Sequence, residues 1–129
     1  MTLVQVADIK GIDVSNLIFT EDVLKGFAPL NSKDLSKIVT VLGTLNLHGL
    51  SFDHFRNRIE RLSGKYKALY EIKVKNLSKR EWRFLVVPVK DEDDCQKIVV
   101  VHSFLKQSYE IKEIDKKKAL TVAKREELI

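Results

Sequence analysis

The sequence is poor in residues that cross-link or break a chain: its 129 residues include one cysteine, two prolines and five glycines. The lone Cys95 cannot form an internal disulfide, which favours a reducing compartment. No apolar run reaches the roughly 18 residues that a membrane-spanning helix needs. Residues 1–10 also lack the basic start and apolar middle of a signal peptide. We therefore expect a cytoplasmic protein.

Several signatures of enzymes are also missing. The three histidines and the cysteine do not have the spacing of a zinc site. There is no glycine-rich phosphate loop, and no serine or cysteine stands in a recognisable nucleophile motif. Internal repeats and low-complexity linkers are absent from the sequence, and the length suits one domain. We expect a single domain over residues 1–129 that uses no metal ion or other cofactor.

Positive charge is concentrated in one stretch. The net charge of the chain is +5. Residues 56–83 alone carry ten basic and three acidic side chains, a balance of +7, and residues 106–129 carry seven and five, a balance of +2. A concentrated basic segment is typical of proteins that bind a phosphate backbone. A solvated lysine-rich face is the alternative, and charge alone does not separate the two.

Apolar spacing in the first half of the chain predicts mainly helices. Residues 4–14 suggest a short strand, or a strand and turn. Residues 20–22 resemble the cap and acidic first turn of a short helix. A longer helix is predicted from an N-cap at Ser32 to a stop at Gly49, and a second helical stripe covers residues 52–62.

The second half changes to the alternation of strands. In residues 69–75 we expect the apolar side chains to face the helices and Glu71, Lys73 and Lys75 to face outward. Strands over residues 82–89 and 98–104 follow, and a helix capped by Asp115 ends the chain. The order predicts an α+β fold. It would have a small antiparallel sheet, a three-strand meander plus a possible N-terminal strand, with helices packed on one face.

Three stretches of the second half resemble the RelE superfamily of toxins, in particular its HigB-like, phage-encoded branch. They are Leu69-Tyr70-Glu71-Ile72-Lys73, Trp82-Arg83-Phe84-Leu85 and Val99-Val100-Val101-His102-Ser103-Phe104-Leu105-Lys106. Lys73 stands where the branch has arginine. The order and spacing agree over residues 45–125, whereas residues 1–30 form an atypical N-terminal extension.

This resemblance implies a RelE-like α+β fold and the activity of a type II toxin, a metal-free endoribonuclease that cuts messenger RNA on the ribosome. It implies a cognate antitoxin as a partner, besides the ribosome and the mRNA, and no membrane partner. Other members of the superfamily poison DNA gyrase and do not cut RNA. A gyrase-directed toxin and a non-toxic nucleic-acid-binding module therefore remain as alternatives.

Metal-free RNA cleavage needs an aligned 2′-OH, fixed cations and groups that carry protons. Arg83 is the candidate for stabilising charge on the phosphate. Lys73 shares its face if odd positions of the hairpin pair with odd ones. The alternative for Arg83 is a cross-strand salt bridge to Glu71. Lys73 and Lys106 are candidate phosphate contacts or proton carriers.

The remaining candidates are proton carriers and RNA contacts. His102 is a possible general acid or base, and a structural histidine in a strand is the other interpretation. Glu71 is a possible general base, with the salt bridge as its alternative. The predicted RNA contacts are Lys75, Lys79, Arg80 and Tyr109.

Overall fold

A computed structural model describes residues 2–77, 80–90, 92–93, 96–105 and 112–129. The helices are α1 (Leu3–Lys10), α2 (Glu21–Phe27), α3 (Ser32–His48), α4 (Phe52–Phe55) and α5 (Glu113–Arg125). The strands are β1 (Leu17–Phe19), β2 (Ile59–Arg61), β3 (Tyr70–Leu77), β4 (Arg80–Lys90) and β5 (Gln96–Leu105). The fold is α+β, as predicted.

The strands form one mixed sheet in the order β1-β5-β4-β3-β2. β1 runs parallel to β5, and the other neighbours are antiparallel. The sheet is therefore larger than the predicted one, because two short edge strands join it. None of the helices in the described part of the chain is both long and apolar enough to cross a bilayer.

Helices α2 and α3 match the predicted segments. The N-cap of α3 is Asn31, one residue before the predicted Ser32, and its side chain accepts a hydrogen bond of 2.8 Å from the Asp34 amide. The helix stops at Gly49, whose φ of +67° is a conformation that glycine adopts at little cost.

The N-terminal segment is helix α1, so the strand predicted over residues 4–14 is wrong. Thr2 and Gln5 form a reciprocal capping box at its start. Leu3, Val6 and Ala7 then bury one helical face. The first strand lies farther along the chain, at Leu17–Phe19, where it pairs with β5.

The helix predicted over residues 52–62 is also wrong, because it ends after one turn. Arg56 has a positive φ of 52°, which turns the chain out of the helix. Ile59 then pairs with Ile72 of β3, and both are buried in the same core. A long-range pairing therefore replaces the local helical preference of this segment.

Helices cover both faces of the sheet, which corrects the prediction of helices on one face. Ile72 and Val74 pack in the core beneath α1, α2 and α3, as expected. Helix α5 covers part of the opposite face, where Ala119 and Ala123 are fully buried. The short alanine side chains allow the helix to approach the sheet closely. On this face of β3, Glu71 is buried, whereas Lys73 is partly exposed and Lys75 is exposed.

Candidate functional site

The α5 side of the sheet carries a group of charged and polar side chains that we call the polar band: Glu60, Glu71, Lys73, Glu81, Arg83 and His102. Strand alternation places them on one face. The register sets Glu60 opposite Glu71, and Lys73 opposite Arg83. On the next strand, Phe104 stands opposite Arg83.

Odd positions of the β3–β4 hairpin pair with odd ones, so Lys73 and Arg83 share a face. The two side chains do not form a solvent-exposed binding surface for a phosphate, because Arg83 is only 4% exposed. Its Nη1 lies 2.5 Å from Glu71 Oε1, and its Nη2 lies 3.0 Å from Glu81 Oε2. The cross-strand ion pair considered as the alternative is thus the arrangement found, and the expectation of an outward Glu71 is wrong.

Lys73 lies at the partly open side of the polar band. Its Nζ is 3.7 Å from Glu60 Oε2 and 3.9 Å from Glu71 Oε1. Burial raises the pKa of Glu71, while the charges of Arg83 and Lys73 act to lower it and that of Glu60 acts to raise it. Glu71 is 1% exposed, so in this arrangement a substrate hydroxyl cannot reach it as a general base would require.

Two polar atoms in the middle of the band lack partners. Glu71 Oε2 and Arg83 Nε are buried, and neither has a hydrogen bond within the described part of the chain. Such atoms are uncommon in folded proteins because burial removes their bonds to water. The ion pair of Glu71 and Arg83 therefore leaves one acceptor and one donor unused.

His102 reaches the same face through a β-bulge. Leu85 pairs with His102 but Val86 pairs with Val100, so Val101 is an extra residue in β5. His102 Nε2 lies 2.8 Å from Asp115 Oδ1 of α5, and its ring stacks on Phe104 with 5.5 Å between centroids. The sequence predicted Asp115 as the N-cap of α5. In the structure the N-cap is Lys112, and Asp115 lies in the first turn of the helix.

The pair of His102 and Asp115 defines the proton-carrying atom of the imidazole. An ionised carboxylate can only accept, so Nε2 of a neutral His102 carries the proton and Nδ1 is the basic nitrogen. Both side chains are mostly buried, at 19% and 15% exposed. A histidine held in this way suits both of the interpretations made from the sequence, a structural role and an acid–base role.

A cleft of about 550 Å³ opens beside His102. Its floor is the part of β5 beyond the end of β1, namely Val101, His102 and Ser103. Helix α2 forms one wall with Asp22, and α5 forms the other with Lys117 and Lys118. Two exposed lysines thus stand at a cleft that a histidine also lines.

A second polar contact anchors the start of α5. The Tyr66 hydroxyl donates a hydrogen bond to the Glu113 carboxylate, which raises the pKa of Tyr66 to about 12. The same bond lowers the pKa of Glu113, and Lys65 and Lys116 lower it further. Nζ of these two lysines lies 5.2 and 5.8 Å from the Tyr66 ring centroid. This contact fixes the helix end that carries Asp115.

The other predicted residues divide into two groups. Lys75 and Arg80 are exposed near the β3–β4 connection, as surface RNA contacts would be. Lys79, Lys106 and Tyr109 lie outside the described residues. The sequence did not single out Asp115, Lys117 and Lys118 as site residues, because only the docking of α5 brings them to His102.

Comparison with known proteins adds no relative: no family model, no curated protein and no solved structure matches the chain. Among the residues that the structure describes, no three histidine, cysteine or acidic side chains are grouped to hold a metal ion. The functional assignment therefore depends on the residue patterns of the strands and on the geometry of the polar band and the cleft.

Proposed function

We propose that this chain is a type II toxin with a RelE-like fold, an endoribonuclease that cuts ribosome-bound mRNA in the cytoplasm and is held inactive by a cognate antitoxin. The observation that supports it best is His102, which is paired with Asp115 and lines a cleft with two exposed lysines. Residues 70–73, 82–85 and 99–105 of the three motifs that resemble RelE toxins lie on β3, β4 and β5, which build this part of the sheet.

In the proposed reaction, the ribose 2′-OH attacks the adjacent phosphate and the bond to the 5′-oxygen of the next nucleotide breaks. Nδ1 of His102 takes the proton of the 2′-OH, or in its protonated form gives one to the leaving oxygen. Asp115 holds the imidazole in one tautomer and one orientation. No metal ion takes part in this scheme.

Cations for the phosphate come from two places in this proposal. Lys117 and Lys118 stand at the cleft. Arg83 lies opposite Phe104, two residues along β5 from His102, which is a separation of about 7 Å along a strand. Lys117 and Lys118 line the same cleft as His102, and Arg83 lies on the same face of the sheet, where Glu71 engages it.

The test is induced expression in bacteria, followed by primer extension on abundant mRNAs. Wild-type protein should stop growth and produce new 5′ ends within coding regions. His102→Gln keeps a donor for Asp115 but cannot carry protons, and should produce neither effect. His54→Gln is the matched control, because His54 lies on α4 and stacks on His48 away from the cleft. Intact mRNA in arrested cells would contradict the proposal.

A second candidate is favoured by the burial of Arg83. Arg83 is neutralised by two carboxylates. An accessible arginine on this face is not needed by a toxin of the same superfamily that acts on DNA gyrase. It is not needed by a non-toxic nucleic-acid-binding module either. Growth arrest with DNA damage and intact mRNA would indicate the gyrase-directed toxin. Harmless overexpression would indicate the binding module.

A further inference from the structure

We infer that Glu71 is an internal occupant of a phosphate-binding site formed by Arg83 and Lys73, and that an RNA phosphodiester binds there by displacing the Glu71 carboxylate. This inference rests on the proposed function, since it names the group that controls access to the cations of the polar band. Glu71 Oε1 contacts both cations, at 2.5 Å from Arg83 Nη1 and 3.9 Å from Lys73 Nζ.

The pairing of the two cations requires an anion at this place. Lys73 and Arg83 stand directly opposite each other in the β3–β4 register, and like charges in that position repel. Glu71 precedes Lys73 by two residues on β3 and faces the same side. Its Oε1 lies beside both cations and offsets this repulsion. An RNA phosphodiester carries the same single negative charge as the Glu71 carboxylate and can offset the repulsion in the same way.

Arg83 is not used to its full capacity by the carboxylates. Glu71 and Glu81 each take a single hydrogen bond from one terminal nitrogen, and Nε remains buried without a partner among the described residues. A guanidinium donates two parallel hydrogen bonds to a phosphate from Nε together with one terminal nitrogen, or from its two terminal nitrogens. The free Nε donor is therefore the atom that a phosphate oxygen would engage and Glu71 does not.

Glu71 is also poorly placed as a permanent partner. It faces Glu60 directly across β2 and β3, where two carboxylates repel. Its own Oε2 is buried and has no hydrogen bond to any residue that the structure describes. Among the described residues of the polar band, three carboxylates lie beside two cations. When a phosphate takes the place of Glu71 beside the cations, the Glu71 carboxylate can turn toward solvent, where its second oxygen gains hydrogen bonds to water.

Lys73 and Glu60 provide the route of entry. Glu60 is 64% exposed at its side chain and Lys73 is 20% exposed, so the band opens to solvent on the β2 side. A backbone phosphate can meet Lys73 first and reach Arg83 as Glu71 turns away. Among the described residues, the other acidic groups of the polar band are Glu60 on β2 and Glu81 on β4, and neither contacts both cations.

The experiment measures binding of a short, fluorescently labelled RNA oligonucleotide whose 2′-O-methyl groups prevent cleavage. Glu71→Gln should bind about tenfold more tightly than wild type, the effect of one hydrogen bond to a charged group. Glu60→Gln is the charge-matched control and should give a clearly smaller gain. Adding Arg83→Lys to Glu71→Gln keeps the charge, removes the two-pronged donor and should abolish the gain.

A second measurement uses the wild-type chain and does not depend on the folding of any variant. The ¹H–¹⁵N signal of the Arg83 Nε–H group should shift when the oligonucleotide saturates the protein. An unmoved Arg83 signal, or equal binding by Glu71→Gln and Glu60→Gln, would overturn the inference.

Failure of this inference and failure of the proposed function give different results. If His102-dependent mRNA cutting occurs but the Arg83 signal does not move, the nuclease stands and the displacement of Glu71 does not. If the signal moves and Glu71→Gln binds more tightly while mRNA stays intact in arrested cells, the phosphate site stands and the nuclease does not.

Discussion

Glu60 and Glu71 stand directly opposite each other on β2 and β3, and Lys73 Nζ lies within 4 Å of a carboxylate oxygen of each. Opposing carboxylates are unfavourable in a sheet, and here one of them is also buried. The lysine bridges them at the exposed side, while Arg83 holds Glu71 at the buried side. Glu71 is therefore the group on which both the stability and the accessibility of the polar band depend.

The first prediction concerns the pH dependence of stability. Burial raises the pKa of folded Glu71 above the ordinary value of the unfolded chain. The contribution of Glu71 to the free energy of unfolding is therefore fully present below the ordinary glutamate pKa. It is lost as the pH rises through the pKa of Glu71 in the folded state. The free energy of unfolding of wild type should fall relative to that of Glu71→Gln over this window. Urea denaturation of both proteins at several pH values measures this, and a difference independent of pH would contradict it.

The second prediction concerns the partner of Glu71. Arg83→Met should destabilise the fold by about 3–5 kcal/mol, because it leaves a buried carboxylate without its cation. The double variant Glu71→Gln, Arg83→Met should recover part of that loss. Chemical denaturation compares the two. If Arg83→Met is as stable as wild type, the ion pair does not support the fold.

The burial of Arg83 affects how its variants are interpreted in functional mutagenesis. Loss of toxicity in a variant that truncates Arg83 does not identify a catalytic arginine unless the variant is shown to fold. Arg83→Lys, which keeps a positive charge opposite Lys73, is the more informative substitution.

The third prediction concerns the acid–base pair. His102→Gln should lower the rate of mRNA cleavage in a cell-free translation reaction by about a hundredfold or more, the usual contribution of a general acid or base. Asp115→Asn should give a smaller loss, since the imidazole loses the carboxylate that fixes its Nε2–H tautomer. A cleavage rate unchanged by Asp115→Asn would show that Asp115 only packs.

The fourth prediction concerns the docking of α5. Ala119→Leu inserts a large side chain where the helix contacts the sheet, and should destabilise the protein by about 1–3 kcal/mol. Lys124→Leu makes a substitution to the same residue on the exposed side of α5 and should change stability by less than about 0.5 kcal/mol. Urea denaturation measures both. Equal stability of the two variants would mean that α5 is not packed as described.

The sequence by itself determined those elements whose signal is local. The helical spacing and stop at Gly49 predicted α3, and the alternation around Ile72 predicted which side chains of β3 face the main core. The apolar run of β5 predicted a strand covered on both sides. These predictions succeeded because periodicity is set by the backbone geometry of helix and strand, which each short segment carries within itself.

Only the tertiary structure decided the character of the candidate site. Whether Arg83 is an open cation or a buried ion pair depends on the register between β3 and β4 and on what covers that face. His102 meets Asp115 because the extra residue Val101 turns it toward α5. Burial and charge pairing arise between residues far apart in the chain, and a solvated arginine and a buried one have the same local sequence signal.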